Sequence, residues 1–267
     1  MSRRPAVAGH FYPDNSATLR SELQKLIHET SAKEAAVGVI APHAGYVYSG
    51  AVAGEVYGTV DIPRDVIILG PNHHGLGARA ALYPEGEWLT PLGAVPINAE
   101  LAQLVSDHAP CVEVDARAHM MEHSLEVQVP FLQMLRPDAT IVPLCLGFGD
   151  FATCRALGEG LSRAVRAWGK RVLIVASSDM THYEPAATAR AKDEEALREA
   201  LALNPEGLLT VCRQHDITMC GVIPATVMLI AALELGASRA RLVRYATSGD
   251  VTGDNLQVVA YAGVTVS

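Results

Sequence analysis

A chain of 267 residues with 49% apolar and 19% charged side chains can bury a large core and is not compositionally disordered. Its formal net charge of −8 argues against a broad nucleic-acid or anionic-membrane surface, because both require clustered basic side chains. No apolar stretch approaches the roughly 20 residues of a membrane-spanning helix. The N-terminus carries Arg3-Arg4 followed by Pro and Ala and lacks a signal-peptide core, and the two arginines read as a solvated face. Five cysteines without CxxC spacing read as reduced thiols of a cytoplasmic protein. Strand and helix patterns alternate to the end with no Pro/Ser-rich linker, so one α/β domain over residues 1–267 is expected, its sheet flanked by helices.

In chain order, Pro5-Ala6-Val7-Ala8-Gly9-His10-Phe11-Tyr12-Pro13 is a Gly/Pro-punctuated opening whose aromatics suit packing on a sheet. Asp14, Asn15 or Ser16 can cap a helix reaching about residue 28. The run 37–40 reads as a buried strand ending at Ala41-Pro42-His43-Ala44-Gly45-Tyr46, followed by a helix over 49–60. A second strand, 66–69, stops at Gly70-Pro71-Asn72-His73-His74-Gly75. Residues 80–96 look irregular, with Tyr83 and Trp88 in local packing, and Asn98 can cap a helix over 99–108. Residues 119–131 read as a helix that Pro130 must kink or restart. A strand over 141–146 and an amphipathic helix over 150–168 lead to a third strand, 172–175, which ends at Ser177-Ser178-Asp179-Met180-Thr181-His182-Tyr183. Helices over 186–203 and 205–215 follow, and Met219-Cys220-Gly221 opens another to about 235. Strands over 241–246 and 256–266 flank a polar loop, 247–255, that is either a hairpin connection or a pocket rim.

Three strand ends therefore each deliver a histidine-bearing turn to the edge where open α/β sheets place their ligands. Neutral imidazole is the commonest metal ligand and the usual acid/base near neutral pH. His43 and His73 follow strands that look adjacent, and they need a third ligand from Asp179, His182, Glu126 or Cys220. His119-Met120-Met121-Glu122-His123 also fits the HxxEH spacing of inverted zinc peptidases, which requires an unbroken helix. The alternative makes His123, with Glu126, a hydrogen-bonding wall of the main crevice. Ser177, Ser178, Asp179 and His182 crowd one turn, whereas hydrolase triads draw their members from separate loops, and no GxSxG elbow or phosphate loop is present. Cys220 opens a predicted helix, where the dipole favours thiolate.

The opening segment, the turns at His43, at His73 and at Asp179–His182, Glu122-His123-Ser124-Leu125-Glu126-Val127-Gln128 and Met219-Cys220-Gly221 together resemble the MEMO1 family, whose prokaryotic members are also called AmmeMemoRadiSam system protein B. The resemblance implies a fold similar to class III extradiol dioxygenases (LigB-like) and a metal position made by His43, His73 and Cys220. Iron or copper is the implied cofactor, with Asp179 and His182 completing the pocket, His182 as proton shuttle and Asp179 orienting it or a ligand. Those dioxygenases use a carboxylate where this chain has Cys220, and the softer sulfur favours Cu(I) or another iron redox poise. The implied function is a non-haem iron or copper oxidoreductase acting on a small phenolic or similar ligand. The alternative is a non-catalytic metal- or peptide-binding adaptor or accessory, working with radical SAM and AMMECR1-like partners.

Overall fold

A computed structural model describes residues 1–267. The elements run β1 (Ser2–Arg3), α1 (Ser16–Leu26), β2 (Gly38–Ala41), α2 (Tyr46–Thr59), β3 (Asp65–Pro71), β4 (Ala80–Leu82), β5 (Glu87–Thr90), β6 (Gly93–Pro96), α3 (Ala99–His108) and β7 (Glu113–Val114). They continue with α4 (Val129–Leu135), β8 (Thr140–Leu146), α5 (Phe151–Trp168), β9 (Val172–Ser177), β10 (His182–Glu184), α6 (Ala186–Leu201), α7 (Pro205–Gln214), α8 (Val222–Glu234), β11 (Ala240–Thr247), α9 (Gly249–Thr252) and β12 (Val258–Val266). Asn15, Asn98, Asp150 and Asn204 cap α1, α3, α5 and α7 by accepting from first-turn backbone N–H groups, which satisfies donors that would otherwise be orphaned.

Nine strands form one sheet in the order β10-β12-β2-β9-β3-β8-β4-β7, with β11 also pairing β12. The central strands β2, β9, β3 and β8 are mutually parallel. Both faces are covered, so these strands are apolar at nearly every position rather than alternating. In β3, Ile67 and Leu69 enter a core of 44 residues built with α3, α5, α7 and α8. Val66 and Ile68 enter a core of 29 residues shared with α1, α2 and α4 on the opposite face. No helix is long and apolar enough to cross a membrane.

Four expectations change. The strands before His43 and His73 are not adjacent, because β9 lies between them. Residues 80–96 are not irregular: β4 joins the main sheet, and β5 pairs with β1 on one side and β6 on the other in a small sheet of their own. Residues 119–131 do not form one helix. Two 3₁₀ turns, Ala116–His119 and Glu126–Gln128, precede α4, which has Pro130 in its first turn. Arg3 is not solvated but fully buried, donating to His119 O, Glu122 O and Glu126, with its guanidinium 4.2 Å above the Trp88 ring.

Candidate metal centre

Because β2, β9 and β3 are parallel, their carboxyl ends lie on one edge, and the turns leaving them carry His43, Asp179 and His73. His123 arrives from the irregular segment between β7 and α4. The rings of His43, His73 and His123 meet with centroids 4.7 to 5.4 Å apart. One nitrogen from each falls within 4.8 Å of the others.

The hydrogen bonds behind these rings decide which nitrogens face outward. The Ser177 hydroxyl donates its single hydrogen to Ser124 O at 2.6 Å and accepts from the Gln128 amide at 2.7 Å. Gln128 is itself oriented by the Tyr57 hydroxyl, which donates to its Oε1. The 2.9 Å contact between Ser177 and His43 Nδ1 is therefore one in which Nδ1–H donates, leaving the lone pair on His43 Nε2, the nitrogen that faces Cys220. His73 Nδ1 donates to Glu122 Oε1 at 2.9 Å, and His123 Nδ1 lies 3.4 Å from the same oxygen. Glu122 is fully buried and also accepts from the His73 and Ser124 backbone N–H groups. The carboxylate orients His73 through that hydrogen bond and raises its basicity as a ligand, while His123 lies beside the same charge.

The electrostatics agree with that arrangement. Burial, reinforced by the neighbouring His123 and His73, pushes His43 well below the usual 6.5. Burial takes His123 down to about 4. Burial opposes the Glu122 carboxylate, but the hydrogen bond from His73 and the backbone donors outweigh it and hold the pKa near 2. At neutral pH the group thus offers the buried His43 and half-buried His123 as neutral imidazoles, with the more exposed His73 beside them and an ionised carboxylate behind, a donor set that fits a divalent transition metal.

Cys220 reaches the cluster through His43, with Sγ 3.2 Å from Nε2 and the Asp179 N–H donating to it at 3.3 Å. Gly221 permits this approach, since a Cβ there would stand 2.3 Å from Ser177 O. The expectation that a helix dipole favours thiolate is corrected, because burial and then Asp179 push the thiol up, and α8 begins beyond Cys220. A cation bound beside it would reverse that balance. Asp179 is buried and accepts the His43 backbone N–H at 2.7 Å, and burial raises its pKa to about 7. No hydrogen bond joins it to His182, so it orients His43. The His182 Nδ1–H donates to Thr218 O at 3.0 Å, which turns Nε2 away from that carbonyl, and burial lowers its pKa.

Glu126 is not a pocket wall. It pairs with buried Arg3 at 2.7 Å and accepts from Ala6 N, Val7 N and the Tyr12 hydroxyl, pinning the N-terminal segment. His119 is buried with its Nε2 3.0 Å from Ala81 O, outside the cluster, so the HxxEH pattern does not form a zinc-peptidase helix. Sequence reasoning missed the roles of Glu122, Ser177 and Gln128. Only the placement of Glu122 beside His123 offered a signal for them.

Over the imidazoles opens a cavity of about 640 Å³ that also takes in Asp179 and His182. The fold and site define an open-sheet α/β protein with a histidine-rich pocket at the carboxyl ends of its parallel strands. A Memo-like protein family model matches residues 3–265, and the chain belongs to this family. Among its relatives, a MEMO1 family protein of Aquifex aeolicus is 43% identical over 268 residues, covering 98% of each chain. The Methanopyrus kandleri MEMO1 family protein MK0963 is 39% identical over 278 residues, 99% of this chain and 98% of its own. The crystal structure of the uncharacterized protein JW3007 from Escherichia coli K12 shares the fold with a TM-score of 0.55 at 15% identity, over 84% of this chain and 98% of that one.

Proposed function

We propose that the protein is a non-haem metal oxidoreductase, holding iron or copper on His43, His73 and Cys220 with His123 as a further imidazole donor. The observation that carries this reading is that His43 and His73 each have Nδ1–H committed to a protein acceptor, with the His123 ring stacked on His73. A redox-active iron or copper would supply electron-transfer and O₂ chemistry. The chain's own residues then bind and orient a small phenolic or similar molecule in the cavity. His182 Nε2 accepts its proton, and Asp179 holds the His43 turn in place. Resemblance to the class III extradiol dioxygenase architecture belongs to the same proposal, supported by histidine turns at the strand ends. A cytoplasmic setting is supported by five free cysteines. The test is anaerobic loading with Fe(II) or Cu(I), elemental analysis, and O₂ uptake with a panel of phenols. Wild type should retain about one metal per chain by the donor argument, with His43→Ala losing it. Equal retention by both, or none by wild type, overturns the reading.

A second reading, a metal- or peptide-binding accessory, is favoured by exposed Tyr183 and Leu256 near the pocket mouth, at 73% and 78% exposure. Capture of radical SAM and AMMECR1-like proteins by wild type and by His43→Ala alike would favour it over turnover.

A further inference from the structure

The outer half of the cavity has a chemistry of its own. Of the 16 residues lining the whole cavity none is Lys or Arg, and Asp254 contributes a carboxylate. Phe11, Tyr48, Tyr183 and Tyr261 supply aromatic walls. Tyr48, Tyr183 and Tyr261 line the same space as Asp179. Tyr48 and Tyr183 remain 41% and 73% exposed. Tyr183 sits at φ 59°, where the register of β10 against β12 shifts between His182 and Glu184. A bulky residue held in the left-handed region is strained, and at this exposure packing does not offset the strain. That backbone conformation sets the Tyr183 ring in the cavity lining. Asp254 is set at the same mouth by the Leu256 N–H, which donates to its Oδ1 at 2.8 Å.

We propose that this outer chamber is a binding site for an organic cation, an amine protonated at neutral pH whose charge lies between the Tyr48 and Tyr183 rings and Asp254. Aromatic faces attract ammonium groups through the ring quadrupole, and a nearby carboxylate adds to that attraction. An anionic tail would meet the Asp254 carboxylate with no Lys or Arg to pair with. This deepens the reading of the metal pocket by naming a substrate class for it. It is tested on metal-free protein, so that its failure is separate from a failure to retain metal.

The probes are benzyltrimethylammonium, benzyl alcohol and phenylacetate, which share a phenyl ring and differ in charge. Calorimetric titration of the metal-free protein should rank them in that order, with the cation about 10-fold tighter than the anion. Asp254→Asn should cut that ratio to about 3-fold, and added salt should shrink it in wild type. Tyr48→Leu and Tyr183→Leu, each at an exposed position, should weaken the cation about 5-fold with melting temperatures unchanged. Phenylacetate binding as well as the cation, no detectable cation binding at millimolar concentration, or a cation affinity indifferent to all three substitutions would overturn the proposal.

Discussion

Replacing Glu122 with Gln tests whether the buried carboxylate positions metal ligands or merely fills space. The wild-type carboxylate accepts from His73 N at 2.7 Å and from Ser124 N and His73 Nδ1 at 2.9 Å, with His123 Nδ1 at 3.4 Å. A glutamine amide presents one oxygen and one NH₂, so one group of donors is left facing a donor. Leaving a buried donor unsatisfied costs about 1–3 kcal/mol, and losing a carboxylate behind a metal-bound imidazole costs about 10- to 100-fold in affinity. Taking about 2 kcal/mol as the midpoint, Glu122→Gln should bind Co(II) or Zn(II) about 30-fold more weakly. Competition against a chromophoric chelator measures this at fixed pH, and thermal melts of the metal-free proteins report the structural loss separately. An affinity within about 3-fold of wild type, alongside a lowered melting temperature, would refute the argument that this group sets the imidazoles.

Glu122 also makes the fold acid-sensitive. Its folded pKa, near 2, lies below the ordinary 4.5, so its contribution of up to about 3 kcal/mol is complete above pH 4.5 and is lost as pH falls towards 2. Urea titrations across that window should show this loss in wild type and a flatter profile in Glu122→Gln. Arg3→Met leaves Glu126 as an uncompensated buried charge and should lower unfolding free energy by about 3–5 kcal/mol; a loss below about 1 kcal/mol would refute the anchoring role. Gly221→Ala places a Cβ 2.4 Å from Ser178 Cβ and 2.3 Å from Ser177 O, so melting should drop by the equivalent of about 1–3 kcal/mol, with weaker metal binding as the Cys220 turn moves. His119→Gln should lower stability while leaving metal retention unchanged, since His119 points at Ala81 O; parallel loss of metal would restore the HxxEH reading.

Elements whose signals are local were legible in the sequence. The caps at Asn15, one of three candidates there, and at Asn98 fix helix starts without reference to the rest of the fold. The strands ending at His43, His73 and Ser177 are apolar runs cut off by Pro, Gly or Ser, and His43, His73, Asp179 and His182 line one cavity, with Cys220 Sγ 3.2 Å from His43 Nε2 behind it. What stayed hidden depends on partners far along the chain. Arg3 looks solvated until Glu126 and Trp88 close over it. β4 to β6 are three or four residues each, too short for a period to show, and exist because β8, β1 and one another offer edges. Residues 119–131 read as a helix from local sequence, whereas the chain there is held by Arg3 donating to His119 O and Glu122 O. That contact spans more than a hundred residues and leaves no trace in local pattern.

The same long-range bonds explain why the site is shaped before any ion arrives. His43 is fixed at its ring by Ser177 and at its backbone by Asp179, both from the end of β9. His73 is fixed at ring and backbone by one carboxylate from the β7–α4 segment, and the turn carrying Cys220 is pressed onto Ser177 and Ser178. A structural zinc site folds its chain on binding and is disordered without metal, because its ligands have no other reason to converge. Here the convergence is held by buried hydrogen bonds on a sheet with two cores, so metal binding need not drive folding. Bound metal should raise stability only by mass action, about 4 kcal/mol at a thousandfold excess over Kd. With a metal bound there as proposed, the adjoining cavity of about 640 Å³ would leave room for a second molecule, which a purely structural site has no need of.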